Sequence, residues 1–299
     1  MSWQKLRAPQ TVDADLLALA LARKARAGAP GATEGQTIAA GDGWRVRDIV
    51  CTAGPGDRPY EERQPAASIS LVLSGTFVYR SARGSSLLSP GALILGNAGE
   101  TFECSHEHGE GDRCLSFQFD RELLERLAHD AGVSRPRFDR DRLPPLRGLA
   151  ALTARAGTAL ARGDAFEEIA LELVGAVLAA ANDRRRGAPA MATQHHERVA
   201  RVLRELESRT GEPHTLAGLA RSAGLSRYHF LRTFRRITGI TPHQWLLRAR
   251  LRNAAERLVT TARPVTDVAL DVGFQDLSNF VRSFRAEFGL SPRQYRANA

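Results

Sequence analysis

Hydrophobic positions along the chain follow two different periods, and the change of period divides it. Residues 12–27, opening Val12-Asp13-Ala14-Asp15-Leu16-Leu17, carry apolar residues at helical spacing. A Gly-, Ala- and Pro-rich loop follows over 28–35. From about 44 to 120 the apolar runs are short and strand-like: 44–51, 68–73, 76–80, 93–95, 101–105 and 114–119. Gly54-Pro55-Gly56, Ser74-Gly75, Ser89-Pro90-Gly91 and Gly109-Glu110-Gly111-Asp112 punctuate them. Many short strands between Gly/Pro turns predict a small β-barrel or sandwich. The period then lengthens. Residues 146–162 and 165–182 read as two packed helices, with Leu171, Val174, Val177 and Leu178 on one face. The stretch at 183–194, containing Arg184-Arg185-Arg186-Gly187-Ala188-Pro189, reads as a linker.

The last hundred residues contain an approximate duplication. The first copy has a short apolar helix ending at Gly224, then a helix from about Tyr228 to Thr238. The second has the same pattern around Gly273, then a helix from Ser278 to Phe288. A glycine suits the sharp turn because it tolerates positive φ, and Ser226 is a candidate N-cap. Two helices joined by a tight Gly-containing turn form a helix-turn-helix. In the first copy Phe230, Phe234 and Ile237 form the buried stripe, leaving Arg227, Tyr228, Leu231, Arg232 and Arg235 off it. In the second, Phe280, Phe284 and Phe288 are buried, leaving Ser278, Asn279, Arg282 and Arg285 outside. Such residues at the start of a helix suit contacts to base edges, with arginines on phosphates.

Charge supports this reading. The net charge is +9, and 195–299 holds 18 Arg against 9 Asp and Glu, with no Lys, so the other residues are neutral in balance. An excess confined to one segment points to a polyanionic partner, nucleic acid being the common one. At 43% hydrophobic and 25% charged, the 299 residues suit two globular domains. No run of 18 apolar residues suggests a membrane span, and charges flank the apolar run 16–21, so no signal peptide is expected. With three cysteines, a reducing, cytoplasmic setting is the expectation.

The C-terminal text resembles the AraC/XylS family of transcriptional regulators. The matching residues are Ala220–Gly224, Leu225-Ser226-Arg227-Tyr228-His229-Phe230, Phe234-Arg235, Thr238-Gly239 and Thr241-Pro242-His243-Gln244-Trp245-Leu246. They continue with Val272-Gly273-Phe274, Asn279-Phe280, Phe284-Arg285, Phe288-Gly289 and Ser291-Pro292-Arg293-Gln294-Tyr295. The resemblance implies seven helices over 195–299, two of them entering successive major grooves and bridged by a long helix at about 242–259. By position it implies base-facing roles for Tyr228, Leu231 and Arg232, and for Asp276, Ser278, Asn279 and Arg282. Leu231 departs from the polar residue common there, and suits only a thymine methyl or packing. The N-terminal strands, through Ser89-Pro90-Gly91-Ala92-Leu93-Ile94-Leu95, resemble the cupin-like effector barrel often joined to this unit. The expected layout is therefore an N-terminal arm and helix at 1–35, a cupin-like β-barrel at 36–135, a helical dimerisation pair at 146–182, the linker, and an all-α double helix-turn-helix at 195–299. The implied partners are double-stranded DNA, a small-molecule or metal effector, and a second copy of the chain; no membrane is expected.

One cluster in the barrel region bears on the effector. Cys104, His106 and His108 are two apart, so on a strand they share a face. A hairpin with its apex near Gly109 would set Cys104 opposite Cys114. Two thiolates and two imidazoles suit Zn²⁺ or another soft divalent ion. Directly opposed strand residues also lie within disulfide range, and unliganded side chains lining a pocket are a third reading. Two further functions stay open: a cupin-type metalloenzyme, suggested by His106-x-His108, and a cysteine-based redox or alkylation sensor. His195, His196 and His214 read as surface residues.

Overall fold

The computed structural model describes residues 16–130, 133, 136–162, 166–181 and 193–298. Positions 1–15, most of the linker stretch and the outer ends of the 165–182 reading lie outside these.

Helix α1 (Leu16–Ala27) precedes the strands β1 (Thr33–Gly41), β2 (Trp44–Cys51), β3 (Glu61–Arg63), β4 (Ala67–Gly75), β5 (Phe77–Ser81), β6 (Gly84–Leu88), β7 (Leu93–Gly96), β8 (Thr101–Ser105) and β9 (Asp112–Phe119). Then come α2 (Arg121–Asp130), the short strand β10 (Arg142–Leu143), a 3₁₀ turn, α3 (Ala150–Arg162) and α4 (Phe166–Ala181). The strands form a six-stranded sheet, β1-β2-β9-β4-β7-β10, facing a four-stranded one, β3-β8-β5-β6. All sheet pairings are antiparallel.

Strand β9 is buried at every position because both of its faces are covered. Leu115, Phe117 and Phe119 pack outward under α2, α3 and α4, where Ile169, Leu173, Val174 and Val177 meet them. The alternate residue Cys114 turns into the space between the sheets, with Val72, Phe77, Tyr79 and Leu88. By the two-residue alternation of a strand, Asp112, Ser116 and Gln118 share that inward face. This interior is accordingly partly polar: the Ser70 hydroxyl donates to the Ser116 hydroxyl at 2.9 Å.

Parts of the helical pair expected at 146–182 make contacts within the chain. The α4 face formed by Val174, Val177 and Leu178 belongs to the outer core of the barrel, while Ala150 and Ala154 of α3 pack against the C-terminal helices.

The remaining described helices are α5 (Thr193–Ser208), α6 (Leu216–Ser222), α7 (Arg227–Thr238), α8 (Pro242–Thr260), α9 (Val265–Asp271), α10 (Leu277–Phe288) and α11 (Pro292–Ala297). They are the seven helices expected, with α8 as the bridge. One core gathers α5, α6, α7 and the start of α8 around Phe230, Phe234 and Trp245; barrel residues Val78 and Leu87 join it. A second gathers the rest of α8 with α9, α10 and α11 around Phe280, Phe284, Phe288 and Tyr295.

Candidate nucleic-acid interface

Each helix-turn-helix is built by the same local devices. Thr215 caps α6 by accepting from the Gly218 amide, and Ser226 caps α7 by accepting from the His229 amide. Gly224 has φ +63° and Gly273 φ +93°, so both turns use the left-handed conformation that glycine adopts without strain. Thr241 and Gln244 form a capping box at the start of α8, with Pro242 in its first turn. The apolar stripes then fix which face of each second helix turns outward. The Phe284 ring lies 4.5 Å from Phe288 and 5.3 Å from Tyr295, centroid to centroid. Burying such rings is worth several kcal/mol each, so α10 cannot rotate without exposing them.

The consequence is two displayed faces. On α7, Arg227, Tyr228, Leu231, Arg232 and Arg235 are exposed; Tyr228 keeps 69% of its surface. On α10, Ser278, Asn279, Arg282 and Arg285 are exposed. Asp276 precedes α10 and acts as its N-cap, its carboxylate accepting from the Ser278 and Asn279 amides at 3.0 Å each. The two displays differ in surroundings. Tyr228, Leu231, Arg232 and Arg235 form one wall of an open groove whose other wall is barrel residues 85–87 and 139–142. The α10 face borders no barrel residue in its own shallow depression.

The two units are tied by Arg250 of α8, a role that the sequence pattern did not indicate. Its guanidinium donates to the Thr210 carbonyl at 2.8 Å, the Gly273 carbonyl at 3.0 Å and the Glu212 carbonyl at 2.7 Å. One side chain thus joins the α5–α6 connection, the bridge helix and the turn of the second unit. Polar contacts also join the barrel to this region. The Trp245 indole donates to Ser89 Oγ at 3.2 Å, and Arg147 donates to the Ala286 carbonyl at 2.7 Å. Glu207 of α5 accepts from the Gly75 amide beside Arg252; burial pushes its carboxyl up to about 7. Burial likewise lowers Arg252 to about 10.

The barrel cluster differs from the expected arrangement. Strand β8 ends at Ser105, so His106 and His108 lie in the following turn rather than on a strand face. Strands β8 and β9 are consecutive but do not pair: Cys104 pairs with Tyr79 in the small sheet, whereas Cys114 pairs with Ile49 and Val72 in the large one. Both cysteines border the same interior, but the hairpin register is overturned. The group brought together is Cys51, His106 and Asp112, all buried, with ligand atoms within 4.8 Å of one another. His106 Nε2 lies 2.7 Å from Asp112 Oδ1, and the Cys114 thiol donates to Asp112 Oδ2 at 3.2 Å. Burial opposes a charge on His106, but its bonds to Asp112 and Cys51 outweigh this and hold the imidazole up to about 9. Burial, then the nearby Asp112 charge, keeps the Cys104 and Cys114 thiols well above their ordinary range. His108 is half-buried and stands outside the group. His196 is buried rather than at the surface, 5% exposed. The sequence could not place Cys51 and gave no sign of Asp112, because their neighbourhood comes from the non-local pairing of β2 with β9.

Comparisons with known proteins bear on both halves. An AraC-like ligand-binding domain matches residues 53–174, and a helix-turn-helix domain matches 219–298. The regulatory protein SoxS of Salmonella typhimurium is 33% identical over 102 residues, 34% of this chain and 95% of SoxS. The RCS-specific HTH-type transcriptional activator RclR of Escherichia coli is 35% identical over 101 residues. That match spans 34% of this chain and about a third of RclR, 36%. Among solved structures, the DNA-binding domain of AdpA in complex with a target DNA is 35% identical, covering 33% of this chain and 90% of that one, with a TM-score of 0.33. No helix among the described residues is long and apolar enough to cross a membrane. The chain belongs to the AraC family of DNA-binding transcriptional regulators, with an N-terminal AraC-like ligand-binding domain ahead of its helix-turn-helix region.

Proposed function

We propose that this regulator reads a bipartite DNA site with α7 and α10 in successive major grooves, and that an effector bound in the β-domain controls access. The observation that carries the reading is the pair of capped, outward-turned helices held to one bridge by Arg250. In the first unit Tyr228 and Arg232 meet base edges, and Leu231 meets an apolar thymine methyl. In the second Ser278, Asn279 and Arg282 do so, while Arg227, Arg235 and Arg285 hold phosphates. Asp276 serves as the cap that aims the Ser278–Asn279 turn at the groove.

The groove between α7 and the barrel supports the control step. Strand β6 packs against α7, so a duplex about 20 Å across does not fit between them and needs the barrel to shift. A second copy of the chain would place two such units on paired sites. The test is selection from random duplexes, followed by binding at graded salt. A defined bipartite motif and a steep fall of affinity with salt are expected. Binding without sequence preference refutes the reading.

A further inference from the structure

We propose that Cys51, His106 and Asp112 form a site for a thiophilic divalent transition-metal cation of the zinc class. We further propose that this ion is what the N-terminal domain senses; that second part rests on the regulatory reading above.

The donor set is one thiol, one imidazole and one carboxylate, the mixed group that a borderline-soft ion prefers. It is assembled by the fold. Cys51 closes β2 and Asp112 opens β9, and the two are direct cross-strand partners. His106 is carried to them by the turn after β8 and is clamped against the Phe77 ring, 5.5 Å between centroids at 21°. At metal–ligand distances of about 2.0–2.3 Å, tetrahedral ligands stand roughly 3.3–3.8 Å apart. With all ligand atoms within 4.8 Å of one another, shifts of about 1 Å suffice: the 2.7 Å His106–Asp112 pair opens and any wider pair closes. The Cys114 thiol donates to Asp112 Oδ2 at 3.2 Å and so helps to position that carboxylate.

His106 turns Nε2 toward the group, 2.7 Å from Asp112 Oδ1, and the residue is 3% exposed, so the imidazole is already aimed at the other two ligands and shielded from water.

The site is also placed to report its occupancy. His106 and Asp112 bracket the turn 107–111, so spreading their 2.7 Å contact around an ion moves that turn. On one side the turn meets α1: a side chain at Gly111 would strike Leu17 at 2.8 Å. On the other it approaches α5 of the DNA-binding region, where a side chain at Gly109 would reach Arg204 Nη1 at 3.9 Å. Filling the site thus pushes on an element that packs directly against α7.

The test uses the full chain, freed of metal with a chelator and titrated with Co²⁺ and then Zn²⁺. The expected result is one Co²⁺ per chain, with thiolate charge-transfer absorption and the strong bands of tetrahedral cobalt, displaced by Zn²⁺. Cys51→Ser removes the charge-transfer band, Asp112→Asn weakens binding at least tenfold, and His108→Ala changes nothing. If Cys51→Ser fails to fold, the Cys104→Ser/Cys114→Ser double variant decides. Cys51 is then the sole thiol of the chain, and the band must persist. A folded wild-type chain without the cobalt spectrum, a spectrum surviving Cys51→Ser, or a band lost from the double variant overturns the proposal. Binding of the selected duplex is followed in the same samples. DNA binding without metal binding defeats the site alone; metal binding without DNA binding defeats the regulatory reading alone.

Discussion

Replacing Arg250 by methionine tests how the two reading helices are held in register. The substitution keeps the aliphatic stem and removes the guanidinium, so packing along α8 is preserved. Three hydrogen bonds are lost, to Thr210, Gly273 and Glu212. A bond with a charged donor is worth about 1.5–3 kcal/mol. The Glu212 bond lies in solvent and counts for little, and the freed carbonyls rehydrate in part. The lower bound for two bonds, about 3 kcal/mol, is therefore the expected loss. At about 1.4 kcal/mol per decade this is roughly a hundredfold. Hydrogen exchange of the full chain is the assay, because it reads local opening rather than one global transition. Amides of 268–280 should exchange about a hundredfold faster in Arg250→Met, while those of β4 and β9 stay unchanged. Arg250→Lys, which restores a single point donor, should fall between. If protection over 268–280 changes less than threefold, the clamp is not what holds the second unit.

Other outcomes follow from the same structure. Gly224→Ala should cost about 1–2 kcal/mol from positive φ alone, since a side chain there meets nothing within 4 Å. Gly273→Ala should cost several, because its added carbon would lie 2.5 Å from the Gly211 carbonyl oxygen; thermal unfolding of the two variants checks the order. Asp276→Ala should destabilise α10 by about 1 kcal/mol through loss of the cap, with Asp276→Asn retaining most of it, as read by exchange of the Ser278 and Asn279 amides. Glu207, held up to about 7 in the folded chain against an ordinary 4.5, favours folding fully below about pH 4.5. That contribution is lost as pH rises through about 7. Glu207→Gln should therefore flatten the dependence of stability on pH between about 5 and 8, and an unchanged profile would show that Glu207 does not titrate there.

The C-terminal half was readable in the sequence because its information is local. The cap at Ser226, glycines at the two turns and phenylalanines four apart each act within a few residues, and all were found in place. Strands rich in apolar and β-branched residues were equally plain: β2 and β8 occupy the expected 44–51 and 101–105. The strands missed are short or polar. β1 is Thr-Glu-Gly-Gln-Thr-Ile-Ala-Ala-Gly at a sheet edge, largely exposed, and its pairing with β2 rather than any pattern of its own makes it a strand. β6 runs Gly-Ser-Ser-Leu-Leu and is held by β5 and by α7. The Cys/His cluster failed for a related reason. Nothing in 101–119 says that the chain leaves one sheet for the other between Ser105 and Asp112, so a hairpin was the natural inference. The true neighbours, Cys51 and Asp112, are 61 positions apart and meet only through the register of β2 on β9. His196 is buried because the barrel packs onto α5, an interdomain contact that no local pattern records.

The central claim is that α7 and α10 each read their own segment of one DNA site. The most direct measurement is selection from random duplexes with the wild-type chain, Arg232→Ala and Asn279→Ala. The wild type should enrich two short motifs about one helical turn, roughly 10 base pairs, apart. Arg232→Ala should erase preference in one motif and Asn279→Ala in the other, each costing about 1–3 kcal/mol of discrimination. A single motif, or two variants that relax the same base pairs, would contradict the account.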